Sequence, residues 1–406
     1  MRICLLCYRG NPYSGGQGIY LKYIADELLR QGHDVHAIIG PPYPTMSKGV
    51  TVHYIYNNEY FIKKGIHVIN NEFPFNVLSP INFYEYFSTR FGIFSEIMAF
   101  SIRAYLKLKE LSRQIKFDII HDNQCLGYGL LLMKSLGIPI IATVHHPLHI
   151  DLEKTVERAP NFRVKMGPVL FYPVLMQRLV TPRLDHVIVV SEDSKKKTNR
   201  YLKVPMQKQT VVYNGLDRSI FRPIKGIKKK RGKLIFVGNV EDRKKGFVYL
   251  LKAMKQVNKK AFLTVVDGGS PHRKSTLRLM KMLGVGDNIE FTGKVTIEEL
   301  VKHYCESEIA IVPSVYEGFG FPAAEAMSCG IPVVSSDGGA LPEVVGDAGI
   351  VVPAKDDVAL AGAINDLLKD GERLKLMAQN GIKRVEECFN WEIAVNQMIG
   401  VYSKFV

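Results

Sequence analysis

The sequence predicts an α/β protein with two doubly wound, parallel-sheet domains. Short apolar runs alternate with segments of helical periodicity through both halves of the 406-residue chain, which is typical of parallel sheets buried under helices. The alternation starts afresh after a polar stretch, residues 224–233, that is dense in lysine and arginine. The length also fits two or three domains. We therefore expect one sheet in each half, with ligands at the carboxyl ends of the strands.

The first half opens with a predicted β-α-β unit. Arg2–Tyr8 is a continuous apolar run, Ile19–Gln31 has helical periodicity, and Val35–Ile39 reads as the next strand. The glycine-rich turn lacks the Gly-x-Gly-x-x-Gly pattern, so NAD binding is weakly supported. Gly15 and Gly16 lie just before the helix, where glycine lets the main chain approach a phosphate closely.

Histidines follow two further predicted strands of this half. His121 ends the strand that begins at Asp118, and the pair His145-His146 follows the strand Ile138–Val144. The carboxyl end of a parallel strand is where α/β proteins bind ligands. A structural role is the alternative for each histidine, and it is the preferred reading of His121.

Two other regions of the first half bear on partners. Residues 41–117 are less regular and contain many Phe, Tyr and Asn side chains, and packing in the core is one interpretation of these aromatic residues. Basic helices are predicted at 162–183 and from Lys195 to Arg200. They favour a partner at a membrane interface, although a soluble partner is nearly as well supported.

The second half repeats the alternation of strands and helices. Predicted strands cover Lys233–Val237, Ala261–Val266, Ile289–Thr292 and Ile309–Val312, with further strands near 333 and 350. The first is followed by a cationic loop, residues 238–246, and the second by the segment 267–269. The only tryptophan, Trp391, precedes a last helix and is predicted to anchor it.

The most informative stretch runs from Pro313 to Met327 and reads as a glycine-rich turn that leads into a helix. Gly318 and Gly320 permit a close approach of the main chain, and Pro322 suits the first helical position. Glu317, on the predicted loop, and Glu325, in the predicted first turn of the helix, flank these glycines. Helix amides favour an anion and carboxylates accept from sugar hydroxyls, so the stretch predicts a site for a sugar joined to phosphate. A solvated loop acid and a partner of the helix dipole are the alternatives.

This stretch resembles the signature of the retaining glycosyltransferases of glycosyltransferase family 4, in which two glutamates are separated by seven residues. Glu317 and Glu325 match the two acids. The continuation Ala326–Glu343 and the segment Tyr213-Asn214-Gly215-Leu216-Asp217 are also similar to the family. The resemblance implies the GT-B fold, in which two Rossmann-like domains face a central cleft. Residues 1–215 would bind the acceptor, with the irregular region 41–117 as the expected site of its recognition. Residues 216–389 would bind the nucleotide sugar, and a helix at about 390–406 would cross back to the first domain.

The resemblance also implies roles for individual residues. Glu317 would contact the sugar hydroxyls, Glu325 the ribose, and His145, with His146 as the alternative, the sugar near the reacting bond. Lys245 matches the family lysine that stabilises the diphosphate. Asn239 stands where the family has an arginine, and Arg243 or Lys244 is the candidate to take over the role of that arginine. The other donor-binding residues implied are Gly15, Gly16, Asp267, Gly268, Val295, Gly318, Phe319, Gly320 and Phe321.

Composition limits the partners. The chain carries 54 basic and 39 acidic residues, a net charge of +15, which favours an anionic partner such as a membrane surface or a phosphorylated substrate. No basic and aromatic nucleic-acid motif is present, so we expect no nucleic acid. The sequence has no Asp-x-Asp motif and no paired cysteine spacing beyond Cys4 and Cys7. We therefore expect no metal and no cofactor. We also expect reduced cysteines and a cytoplasmic protein, either free or at the inner face of the membrane.

The expected function is therefore a metal-independent, retaining transfer of a hexosyl group from a nucleotide sugar to an acceptor hydroxyl. The acceptor would be a glycan, a lipid-linked sugar or a small molecule of glycan, glycolipid or cell-envelope biosynthesis. Two alternatives remain open at this point. One is a sugar-nucleotide epimerase or hydrolase on the same fold, and the other is a non-catalytic, basic membrane-binding protein.

Overall fold

The computed structural model describes residues 1–10, 16–56, 79–90, 94–158, 173–268 and 274–406. The chain forms two compact units. The first comprises Met1–Val190, Ser194–Val212 and Val395–Val406, and the second comprises Ser191–Asp193 and Tyr213–Ala394. Residues of the last helix thus contribute to both units.

A sheet of seven parallel strands forms the centre of the first unit. Its strands are β1 (Arg2–Cys7), β2 (Asp34–Ile39), β3 (Thr51–Tyr54), β4 (Ile119–Asn123), β5 (Ile140–Val144), β6 (His186–Val189) and β7 (Gln209–Val211). Their order is β3-β2-β1-β4-β5-β6-β7, with parallel pairing throughout. The strand order reverses between β1 and β4, and such a switch point opens a crevice at the carboxyl ends of the strands.

The helices of the first unit cover this sheet. They are α1 (Gln17–Arg30), α2 (Pro80–Arg90), α3 (Glu96–Leu111), α4 (Gly129–Met133), α5 (Leu148–Arg158), α6 (Val174–Val180) and, from Ser194 onward, α7 (Glu192–Leu202). The apolar strands are buried between these helices, as their uninterrupted hydrophobic runs predict. Only α6 and a short 3-10 turn, Thr181–Arg183, represent the predicted basic helix 162–183, because residues 159–172 lie outside the described part.

The second unit has a six-stranded parallel sheet. Its strands are β8 (Lys233–Val237), β9 (Phe262–Val266), β10 (Ile289–Phe291), β11 (Ile309–Val312), β12 (Val333–Ser336) and β13 (Gly349–Val352), in the order β10-β9-β8-β11-β12-β13. Its helices are α8 (Phe247–Met254), α9 (Lys274–Leu283), α10 (Ile297–Glu306), α11 (Phe321–Ser328), α12 (Leu341–Val345), α13 (Asp357–Lys369), α14 (Gly371–Cys388) and, as far as Ala394, α15 (Trp391–Tyr402). The prediction of two doubly wound parallel sheets is confirmed.

The cationic stretch before β8 is exposed over most of its length, but hydrogen bonds also tie it to the rest of the second unit. The Nζ atoms of Lys230 and Lys233 lie 2.9 and 2.8 Å from one carboxylate oxygen of Glu306. Lys229 donates to the Gly330 carbonyl at 2.9 Å. Burial raises the pKa of Glu306, but the bonds from Lys233 and Lys230 outweigh it and lower the pKa to about 2. Part of the charge run therefore has a structural partner that the sequence pattern does not reveal.

Trp391 anchors the start of the last helix within the second unit. Its ring is 7% exposed and packs on Gly215, where an added Cβ would lie 2.5 Å from the ring atoms and 2.4 Å from the Trp391 nitrogen. The Leu216 N–H also donates to the Phe389 carbonyl at 2.9 Å. The segment Tyr213–Asp217 thus holds the residues that lead into α15.

We predict that Gly215→Ala destabilises the second unit by about 1–3 kcal/mol, because the new methyl overlaps the Trp391 backbone and ring. Gly400→Ala is the matched control. Gly400 lies in α15 with open space around its Cα, so alanine there is expected to stabilise the helix by about 0.5–1 kcal/mol. Denaturant unfolding of both variants and the wild type measures the difference. Equal midpoints for Gly215→Ala and wild type would contradict the anchoring role.

Candidate functional site

The glycine-rich turn after β11 holds Glu317 in one position through its main chain and its side chain. The Glu317 N–H donates to the Gly338 carbonyl at 3.2 Å, and the Glu317 carbonyl accepts from Ala340 at 3.0 Å. The Ser314 hydroxyl donates to Glu317 Oε1 at 2.8 Å. The acid therefore lies at the carboxyl edge of β11 and β12, and it is not a mobile loop acid.

Lys245 pairs with this carboxylate. Its Nζ lies 2.7 Å from Glu317 Oε1, and the two side chains are 26% and 12% exposed. The pair joins the cationic loop after β8 to the turn after β11, although the two residues are 72 positions apart in the sequence. Both charges remain partly accessible, so a ligand can reach them.

Backbone contacts bring the Lys245 turn to the Glu317 loop. The Val315 N–H donates to the Lys244 carbonyl at 2.7 Å. Gly246 follows with φ +67°, and an added Cβ there would lie 1.9 Å from the Pro313 carbonyl oxygen. A glycine is required at this position for both reasons, since a side chain would push the turn away from the loop.

Gly320 starts the helix that follows. It has φ +104° and caps α11, which begins at Phe321, so Pro322 is the second helical residue rather than the first. Pro322 has no N–H and the Ala323 N–H donates to the Gly320 carbonyl at 3.0 Å, so an anion here would meet the Phe321 N–H and the positive end of the helix dipole. The Phe319 ring, by contrast, is 4% exposed and packs edge-on against Phe389 and Phe321. Phe319 can therefore reach a ligand only through its main chain.

Glu325 is the fifth residue of α11, which corrects the expectation that it lies in the first turn. Its Oε2 accepts from the Tyr304 hydroxyl of α10 at 2.9 Å. Burial raises the pKa of Glu325 to about 7, against the opposing effects of the Tyr304 hydroxyl and the Lys245 charge. Tyr304 was missed by sequence reasoning, because it lies on the buried face of an amphipathic helix together with Val301 and Cys305.

The other predicted donor residues of this unit follow the strands β8, β9 and β10. Asn239 and Arg243 are exposed in the loop after β8, and Asn239 Oδ1 accepts from the Glu241 N–H at 2.9 Å. Asp267 and Gly268 follow β9, and Asp267 is 7% exposed. The remaining two are Gly318 and Val295, which are half-buried after β11 and β10. Parallel strands bring all of these to one edge of the sheet, while Gly269 lies outside the described residues.

In the first unit, His145 lies directly after β5 and is held by its neighbours. Its Nε2 is 2.8 Å from Asn123 Oδ1 at the end of β4, and the Tyr20 ring lies perpendicular to its ring at 4.7 Å. Burial, assisted by His146 and His121, lowers the pKa of His145 to about 3. His146 points elsewhere and contacts Asp151 at 2.9 Å.

The remaining predicted residues of this unit are His121, which has structural contacts, and the two glycines before α1. His121 is 2% exposed and bonds to Thr143 and to the Tyr402 hydroxyl, and burial lowers its pKa to about 3. These contacts fit the structural reading of His121. Gly16 caps α1 with φ +74° and has open space around it. Gly15 lies outside the described residues.

Within the described ranges, no three His, Cys, Asp or Glu side chains are grouped in a way that could hold a metal ion. A search of the same ranges finds no helix long and apolar enough to cross a membrane.

The raised pKa of Glu325 gives a pH prediction. The folded state binds this proton more tightly than the unfolded state, so the stability it contributes is complete below pH 4.5 and is lost as pH rises through about 7. We expect the free energy of unfolding of the second unit to fall by up to about 3 kcal/mol over this window. Glu325→Gln should remove the slope, and Glu387→Gln, an exposed control, should keep it. Denaturant titrations at several pH values measure this, and an unchanged slope in Glu325→Gln would refute it.

Comparisons with known proteins agree with this geometry. The model of Glycosyltransferase Family 4 matches residues 14–220, and the model of Glycosyl transferases group 1 matches residues 217–384. The MMP alpha-(1->4)-mannosyltransferase of Mycolicibacterium hassiacum is 34% identical over 413 residues, covering 100% of this chain and 98% of the relative.

Two solved structures show the same fold. Sucrose-phosphate synthase from Thermosynechococcus elongatus matches with a TM-score of 0.75 and 23% identity, covering 100% of this chain and 99% of the other. Anabaena HepE in complex with UDP-glucose matches with a TM-score of 0.70 and 16% identity over 100% of both chains. The paired glutamates, the two parallel sheets and the family matches together show that this chain is a glycosyltransferase of glycosyltransferase family 4 with the GT-B fold.

Proposed function

We propose that this glycosyltransferase moves a hexosyl group from a nucleotide-sugar donor to an acceptor hydroxyl, with retention of anomeric configuration and without a metal ion. The observation that carries the proposal is the Lys245–Glu317 pair, which lies 2.7 Å apart beside the start of α11. It combines a cation for a phosphate, a carboxylate for sugar hydroxyls, and helix amides that favour an anion.

The chemistry of Lys245 suits a diphosphate leaving group. Negative charge grows on the diphosphate as the bond to the sugar breaks, and a fixed cation lowers the energy of that transition state. An ammonium group has three N–H donors, so it can bind Glu317 and a phosphate oxygen together. The bond to Glu317 holds the Lys245 ammonium in place before the donor binds. Arg243, exposed in the same loop, is our candidate for the second cation that Asn239 does not supply.

The two glutamates would serve different hydroxyls. Glu317 is held by Ser314 and Lys245 and is proposed to accept from the donor sugar. Glu325 has a buried environment and one phenolic donor, Tyr304, and is proposed to accept from the ribose. His145 keeps the sugar contact that the family resemblance implies, with the neighbouring His146 as the alternative.

The relatives guide the choice of the first donors to test. A mannosyltransferase is 34% identical over the whole chain, so GDP-mannose is the first candidate. The structural neighbour bound to UDP-glucose makes that donor the second. A sugar or polysaccharide hydroxyl is the proposed acceptor, and turnover with the acceptor compared with turnover in water separates transfer from hydrolysis.

We predict that one nucleoside diphosphate or nucleotide sugar raises the melting midpoint of the wild type by mass action. Lys245→Ala should weaken its binding about tenfold to a hundredfold, because a charge-assisted bond to phosphate is lost. Lys252→Ala, which removes an exposed lysine from the adjacent α8, should bind as the wild type does.

The same preparations test the finer parts of the proposal. The anomeric proton of the product, followed by NMR from the first turnover, should show the configuration of the donor, and EDTA should leave the rate unchanged. An inverted product would rule out retention. Folded wild type that binds no member of the nucleotide panel would rule out the nucleotide-sugar donor.

We also propose that the enzyme works in the cytoplasm and associates peripherally with anionic membranes. Leu175 and Leu179 of α6 are 64% and 38% exposed and are spaced one helical turn apart, with Arg178 exposed between them. Exposed apolar side chains beside basic ones suit the boundary between lipid headgroups and acyl chains.

Binding to anionic vesicles is therefore expected at low salt and should decrease as salt rises. Leu175→Ser should weaken this binding severalfold, whereas Leu376→Ser, at an exposed leucine of the second unit, should not. Co-sedimentation measures both effects. The absence of vesicle binding by the wild type at low salt would end the membrane proposal.

A further inference from the structure

A chain of hydrogen bonds in the first unit fixes the orientation of the Asn123 amide. Asn123 is 2% exposed at the end of β4, and its Nδ2 lies 2.9 Å from the main-chain carbonyl of Gln17 at the start of α1. A carbonyl oxygen only accepts, so the group facing it must be the NH₂ of the asparagine. The carbonyl oxygen of the side chain, Oδ1, then faces His145.

This orientation determines which ring nitrogen of His145 carries hydrogen. Nε2 lies 2.8 Å from Asn123 Oδ1, which has no proton to give, so Nε2 must be the donor. A neutral imidazole has one N–H, and Nδ1 is therefore an acceptor. Among the described residues, none is hydrogen-bonded to Nδ1. His145 remains half-buried rather than fully enclosed.

Gln124 fixes the main chain of the same histidine. Its Oε1 accepts from the N–H groups of His145 and His146, and its Nε2 donates to the His146 carbonyl at 2.9 Å. Gln124 is 3% exposed and has φ +54°, a left-handed conformation that costs a non-glycine residue about 1 kcal/mol or more. Three hydrogen bonds hold it there. Asn123 and Gln124 thus hold the ring and the backbone of His145 respectively.

The surroundings of the ring also favour the neutral form. The titratable groups that act on the His145 ring are His146 and His121, and a positive charge on either one would disfavour protonation of His145. The edge-on Tyr20 ring is neutral and bonds through its hydroxyl to Thr143 at 2.9 Å. No carboxylate is bonded to the His145 ring among the described residues. The imidazole is therefore uncharged at physiological pH, its one N–H is bonded to Asn123 Oδ1, and Nδ1 has no proton to donate to a substrate.

We propose that Asn123 and Gln124 are positioning residues that hold His145 as the Nε2–H tautomer and present Nδ1 as a hydrogen-bond acceptor to a hydroxyl of a bound sugar substrate. The inference rests on the proposed function, because that function supplies the sugar. In this arrangement His145 orients a hydroxyl and does not act as a general acid or base.

The first test is the ¹⁵N NMR spectrum of the full-length protein labelled at histidine, with His145→Asn used to assign the signals. We expect Nε2 to carry the proton and Nδ1 to be unprotonated, unchanged from pH 6 to 8. A proton on Nδ1, or a ring that titrates within this range, overturns the proposal. The wild-type spectrum decides the tautomer without any variant of the positioning residues.

Variants then test the cause of the tautomer. Asn123→Ala should give a mixture of both tautomers and lower kcat/KM about tenfold or more, because a hydrogen bond that selects one form is lost. Asn123→Asp places a carboxylate beside Nε2, so it should make the ring titrate at a higher pH than in the wild type. Asn199→Ala, which removes an amide of α7 that donates to the Val204 carbonyl, should change neither the tautomer nor the rate. An unchanged tautomer in Asn123→Ala overturns the positioning role.

Ligand titration tests the sugar contact. A nucleotide sugar should shift the Nδ1 signal, whereas its nucleoside diphosphate alone should not. Equal responses overturn the contact. The tautomer is read without turnover, so its failure is distinct from failure of the proposed function. A protein with the expected tautomer and no transferase activity would refute the function, while an active enzyme with the other tautomer would refute only this inference.

Discussion

The site of the second unit depends on one close backbone contact, at Gly246. The Cα of this residue approaches the Pro313 carbonyl so closely that a Cβ would lie 1.9 Å from the oxygen. The contact lets Lys244 accept from Val315 and brings the Lys245 ammonium to 2.7 Å from Glu317. Two loops that follow neighbouring strands thus act as one structure, and the cation and the acid are held in place before a ligand binds.

The environments of the two glutamates differ although both lie near the same turn. Glu317 has a cation and a hydroxyl as partners and stays partly accessible. Glu325 has a phenol as its bonded partner, and burial raises its pKa to about 7. An acid held by an ammonium is ready to orient hydroxyls near a phosphate. An acid that ionises near neutral pH couples the stability of the second unit, and its proposed contact with a ribose, to pH.

In the first unit, neighbouring side chains likewise fix a candidate site residue in place, but that residue, His145, is neutral. His145 is surrounded by Asn123, Gln124 and Tyr20, and these neighbours select one tautomer and one main-chain position. His121 lies in the middle of β4 rather than at its predicted end, and it is instead fully bonded inside the core through Thr143 and Tyr402. The two histidines therefore have different roles, because His145 follows β5 and remains partly accessible, whereas His121 lies within β4 and is buried.

The sequence by itself determined the fold class, the family and the paired acids. Apolar runs that alternate with helical segments predict parallel strands whatever side-chain contacts the strands make. The spacing of Glu317 and Glu325 is also visible in the sequence, because both lie within one turn and the helix that follows it. The tertiary structure alone decided the partners: Lys245 for Glu317, Tyr304 for Glu325, and Asn123 for His145. It also moved Glu325 out of the first helical turn and buried the Phe319 ring. The physical reason is that such contacts join residues that are distant in sequence, at the shared edge of a sheet, where distance and burial rather than local pattern set the chemistry.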